Sequence, residues 1–97
     1  MYIVLLEYLK PLSEVDRFVA EHRAYLKMHY EAGDFLLSGR REPRVGGVII
    51  AQAATRAALE TILAGDPFWR ESIARYDIVE FVPSMAAPAL AHLVAGA

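Results

Sequence analysis

Four short runs rich in β-branched and aromatic residues alternate with two longer helical stretches, and this order constrains the fold more than any single residue does. Tyr2-Ile-Val-Leu-Leu-Glu-Tyr8 comes first, stops before Pro11 and reads as a strand. Asp34 to Gly39 is the second strand and Gly46 to Ala51 the third. The link between them, Arg40-Arg-Glu-Pro-Arg44, is so short that the two should pair as an antiparallel hairpin. Tyr76 to Val82 is the last strand, closed by Pro83.

The first helical stretch takes Ser13 as its N-cap, places Glu14 and Asp16 at the positive helix end, and runs to about Ala32. Gly33 ends it, because glycine tolerates the left-handed C-cap. The second starts at Thr55, buries Ala58, Leu59, Ile62 and Leu63, and reaches Gly65. Pro67 then forces Asp66 out of the helical region, and a short helical turn resumes through Ile73. The order βαββαβ predicts an α+β, ferredoxin-like sandwich: a four-stranded antiparallel sheet with two helices on one face. Residues 1–83 form this single domain. Residues 84–97 are an apolar, Ala-rich tail in which Pro88 can start a short helix carrying Leu90, Leu93 and Val94 on one side.

Such a sheet leaves one face bare, yet the first and third strands are apolar on both faces. With 56% hydrophobic and 23% charged residues, the chain carries more apolar surface than a small monomer easily hides. A homodimer through the open sheet face is the economical cover. A net charge of −2 gives no reason to expect nucleic acid or an anionic membrane as partner. The absence of cysteine excludes disulfides, thiol nucleophiles and thiolate metal sites. Met1 to Leu6 lacks a basic leader and a small-residue cleavage pattern, so a cytoplasmic location is expected. No cofactor is expected either: Gly46-Gly47 sits in a hairpin rather than at a helix start, the wrong context for binding a phosphate.

His22 is the chemical anomaly. On the first helix it falls among Val15, Phe18, Val19, Tyr25, Leu26 and Tyr30, which aims an imidazole at the core. A core histidine satisfied by the backbone or a hydroxyl is one reading, and an Asp-Pro pair that only caps a loop is the matching one for Asp66. The topology, however, lets the loop after the second helix approach the first, and a carboxylate beside the ring would fix its tautomer and make it a general base. Ser38 at a strand end could hydrogen-bond a ligand. Arg40, Arg41 and Arg44 could bind an anion, or merely keep an edge strand soluble. Phe68 could wall a pocket or simply pack beside the helix break. A metal triad of His22, His29 and Asp66 is rejected, since residues seven apart on a helix lie about 10 Å apart along its axis.

Five stretches together resemble the YciI-like (YCII-related) family of the dimeric α/β-barrel superfamily: His22-Arg-Ala-Tyr-Leu, Ala32-Gly-Asp-Phe-Leu-Leu-Ser-Gly39, Pro43-Arg-Val-Gly-Gly-Val-Ile-Ile50, Asp66-Pro-Phe68 and Tyr76-Asp-Ile-Val-Glu-Phe81. They follow the family's order, and the similarity covers Tyr2 to Pro83. The chain departs from the family pattern after Gly39, where Arg40 replaces a frequent proline. The resemblance implies a dimeric ferredoxin-like barrel and a catalytic His-Asp pair, which falls on His22 and Asp66. Muconolactone-isomerase-like and dehydrochlorinase-type relatives point to proton transfer or elimination on small cyclic compounds.

The leading expectation is a small cofactor-independent enzyme performing isomerisation, elimination or hydrolysis of a small anionic or cyclic molecule. A non-catalytic ligand-binding or sensing dimer, and a structural or regulatory interaction module, are the alternatives.

Overall fold

The computed structural model describes residues 1–94. Strand β1 (Tyr2–Tyr8) is followed by α1 (Leu12–Asp16), α2 (Val19–Glu31), β2 (Phe35–Arg40), β3 (Gly46–Ala51), α3 (Arg56–Leu63), α4 (Pro67–Arg70) and β4 (Ala74–Glu80). The four strands form one antiparallel sheet in the order β2-β3-β1-β4. This is the ferredoxin-like arrangement expected from the element order.

Alternation along the strands sorts the side chains. Tyr2, Val4 and Leu6 of β1 pair with Ala51, Ile49 and Gly47 of β3 and point under the helices, where they meet Val15, Tyr25, Leu59, Leu63 and Phe68 in the core. Ile3, Leu5, Val48, Ile50, Leu37 and Val79 occupy the opposite face. Leu37 there is 67% exposed and Val79 48%, so this apolar face is open to solvent in the single chain. Gly46 permits the β1–β3 approach: a Cβ at that position would lie 1.7 Å from the Leu6 carbonyl oxygen.

The long first helix predicted from Ser13 to Ala32 is two helices. Pro11, not Ser13, opens α1, because its carbonyl accepts the Glu14 and Val15 N–H groups and leaves Ser13 inside the first turn without a capping bond. The chain leaves helical geometry at Phe18 (φ −112°, ψ 0°), and α2 restarts at Val19 with His22 N–H bonded to the Phe18 carbonyl. At the far end Gly33 has φ +82°, its N–H reaches the Tyr30 carbonyl and that of Asp34 reaches His29, so α2 closes in a Schellman cap. Thr55 caps α3 by accepting from Ala58 N–H at 3.0 Å.

The turn after Asp66 ends at Arg70 rather than Ile73. Ser72 swings the chain round with φ +55°, and β4 begins at Ala74, two residues before the expected start. β4 is longer at this end because all of β1 offers it partners, from Tyr2–Glu80 to Tyr8–Ala74. The tail expected over residues 84–97 contains a 3₁₀ helix, Pro88–Leu93, while Met85 and Leu90 remain exposed; residues 95–97 lie outside the described residues. Among the described residues no helix is long and apolar enough to cross a membrane.

Candidate active site

Asp66 is the one buried charged side chain in the described core, at 0% exposure. Such a group needs its lone pairs occupied, and three donors occupy them. Pro67 holds Asp66 extended (φ −71°, ψ 130°) at the N-cap of α4, where Oδ1 accepts the Phe68 N–H at 2.9 Å. The same Oδ1 lies 2.8 Å from His22 Nδ1, and Oδ2 accepts the Tyr76 hydroxyl at 2.6 Å. Asp66 is thus a helix cap and a histidine partner at once.

The hydrogen-bond network assigns the tautomer. Beside a carboxylate, Nδ1 carries the proton and donates, which leaves the Nε2 lone pair free. Nε2 has no protein partner among the described residues, and no buried side-chain nitrogen or oxygen lacks one, so Nε2 is open to solvent. The ring is held flat against Phe68, with centroids 4.0 Å apart and planes 7° apart.

His22, with 15% of its side chain exposed, faces a cleft of about 460 Å³ between the start of α2 and the β2–β3 hairpin. Val19, Leu26, Ile49 and Phe68 give it apolar walls, and Gly46 and Gly47 leave its floor without side chains. Arg23, Arg40 and Arg44 reach it, and no acidic side chain lines it. Arg40 pairs with Glu42 and Arg44 with Asp16, whereas Arg23 has no carboxylate partner among the described residues. The cleft therefore sets guanidinium groups beside apolar walls.

The structure brings together His22, Asp66, Phe68, Ser38, Arg40 and Arg44 around this cleft, Asp66 acting from behind the imidazole. Arg41 lies off the wall, its backbone N–H bonded to the Gly46 carbonyl. The Ser38 hydroxyl is engaged with the Tyr30 hydroxyl. Sequence reasoning missed Tyr76, Arg23 and Tyr25. Periodicity signals burial of an aromatic ring but not where its hydroxyl ends. Burial, reinforced by the Asp66 charge, pushes the Tyr76 and Tyr25 phenols well above their ordinary value, so both remain donors, Tyr25 to the Ile62 carbonyl at 2.7 Å.

His29, two turns further along α2, has its own carboxylate: Nδ1 sits 2.8 Å from Asp34 Oδ2. The two histidines serve different aspartates, and among the described residues no three His, Cys, Asp or Glu side chains gather closely enough to hold a metal ion.

Comparison with known structures finds the same fold in 5-chloro-2-hydroxyhydroquinone dehydrochlorinase (TftG) from Burkholderia phenoliruptrix AC1100, solved with 2,5-dihydroxybenzoquinone. The two superpose with a TM-score of 0.69 over 84% of this chain and 93% of that one, at 16% sequence identity. No curated protein matches the sequence. Residues 1–82 match the YCII-related domain, and the chain belongs to that family.

Proposed function

We propose that this protein is a small acid–base enzyme acting on a small anionic molecule, with His22 as the proton-transferring residue and Asp66 orienting it. The observation that carries the reading is the 2.8 Å contact between His22 Nδ1 and a fully buried Asp66, with Nε2 left open at the cleft. A carbon acid held there would lose its proton to Nε2. The electron pair left behind would form a double bond and expel a leaving group, or be reprotonated at another carbon, giving elimination or isomerisation. Elimination is favoured by fold-level analogy with the dehydrochlorinase. Arg23, Arg40 and Arg44 would hold the anion, and the chemistry needs no cofactor. Arg41, off the cleft wall, would act only through the field it adds.

Two copies joined through the open sheet face complete the reading. Support comes from the exposed apolar residues Leu37 and Val79, which a single chain leaves in water.

The test is a screen of small halogenated and lactone acids with the wild type, followed by His22→Ala and Asp66→Asn. Loss of turnover by about 10²-fold or more in both variants is expected. Unchanged turnover in His22→Ala would overturn the mechanism, and ligand-induced stabilisation without turnover of any acid would favour a binding or sensing protein.

A further inference from the structure

The Asp66 carboxylate could satisfy His22 in more than one way. It is a short side chain with one free torsion beyond Cβ, and rotating it would exchange Oδ1 and Oδ2 or lift both from the imidazole plane. Two of its three contacts meet at Oδ1, namely the Phe68 N–H and His22 Nδ1. A single group engages Oδ2: the Tyr76 hydroxyl at 2.6 Å, brought there from the middle of β4. The Tyr76 ring is fixed in turn by an edge-to-face contact with Trp69, centroids 4.9 Å apart.

The His29–Asp34 pair makes a comparison within the same molecule. It has the same 2.8 Å contact on the same helix, but the Asp34 side chain is 31% exposed, has no second donor among the described residues, and does not line the cleft. A carboxylate that only ties a helix end to the next strand is built without a tyrosine. The carboxylate behind the cleft is built with one.

We propose that Tyr76 is the positioning residue of the site: by donating to Oδ2 it locks the carboxylate so that Oδ1 faces His22 Nδ1 and Nε2 is the nitrogen left bare. The inference rests on the acid–base reading of the pair. It adds that the proton taken up in the reaction stops on His22. When Nε2 accepts it, Nδ1 keeps its own proton, because the Asp66 oxygen it faces already accepts the Phe68 N–H and the other oxygen accepts the Tyr76 hydroxyl. The new imidazolium thereby faces an undiminished carboxylate.

Long-range ¹H–¹⁵N correlation of the histidine side chains in the full chain tests this without a substrate. In the wild type His22 should show a protonated Nδ1 and a bare Nε2. Tyr76→Phe removes only the hydroxyl, and His22 should then exchange between both tautomers while the His29 signals stay in place. A folded Tyr76→Phe protein with unmoved His22 signals would overturn the proposal, because a merely structural hydroxyl changes stability and not the tautomer. If Tyr76→Phe yields no dispersed spectrum, 3-fluorotyrosine in place of Tyr76 keeps the shape and strengthens the donor. The His22 Nδ1 proton should then shift, and an unmoved resonance overturns the idea equally. Turnover that survives His22→Ala would instead defeat the catalytic reading and leave this result intact, so the two failures are distinguishable.

Discussion

His22 and Phe68 lie face to face, their ring planes 7° apart and centroids 4.0 Å apart, while the backbone N–H of Phe68 and the Nδ1 of His22 converge on one oxygen of Asp66. One residue of the second helical segment thus supports the imidazole from below and helps hold its partner from the side.

Removing that support should separate position from charge. Phe68→Leu keeps an apolar side chain and the backbone N–H but loses the flat surface. Turnover on an identified substrate is expected to fall about tenfold, less than for His22→Ala, with kcat affected more than KM. Equal turnover in Phe68→Leu and wild type would show the stack to be packing alone.

Asp66→Ala should destabilise the fold as well as the site. It deprives α4 of its cap and leaves the Tyr76 hydroxyl and the Phe68 N–H without an acceptor. A loss of about 2–4 kcal/mol is expected from a cap and an orphaned buried donor, read from urea unfolding. Thr55→Ala, which also removes a helix cap but lies far from the cleft, should cost only about 1 kcal/mol and leave activity unchanged.

Alkaline pH should weaken the fold through Tyr25 and Tyr76. Both phenols are raised by burial, while in the unfolded chain they ionise near the ordinary value of 10.0. Above that pH the native state holds more protons than the unfolded one, so the stabilisation, complete below pH 10, declines as pH rises. Tyr25→Phe should lessen the slope of that decline in thermal melts between pH 9 and about 11. A slope identical to that of the wild type would exclude Tyr25 as a contributor.

The open sheet face predicts association. Sedimentation of the wild type at micromolar concentration should show a dimer, and Leu37→Glu, which places a charge on the exposed strand β2, should shift it toward monomer. A wild-type monomer would leave the apolar face unexplained by self-association.

Element order and the type of every strand were legible because period-2 runs and the Gly33 and Thr55 caps act locally. The break at Arg17–Phe18 was not. No proline or glycine marks it, and the spacing Val15, Phe18, Val19, His22 continues across it as though the helix were whole. The two-residue shift of β4, which runs Ala74–Glu80 where Tyr76 to Val82 was expected, was hidden because its pairing is set by β1, far away in sequence. Within the site, the polar residues could be nominated from an imidazole in an apolar stripe and an aspartate before proline. Tyr76 could not, since nothing in Ala74 to Glu80 distinguishes a ring that packs from one whose hydroxyl reaches a carboxylate. The pairings of Arg40 with Glu42 and of Arg44 with Asp16 leave Arg23 as the cleft arginine without a carboxylate partner among the described residues, a ranking that requires coordinates.

His22 and Asp66 are separated by 44 positions, and they come from different halves of the chain: one from the segment between β1 and β2, the other from the segment between β3 and β4. Their contact is a seam. Neither half holds the pair alone, and a partly folded chain with one half in place has an unoriented imidazole or an aspartate with nothing to orient. Any activity of this protein is therefore a report on completed folding, and it should vanish at the same denaturant concentration as the last native structure.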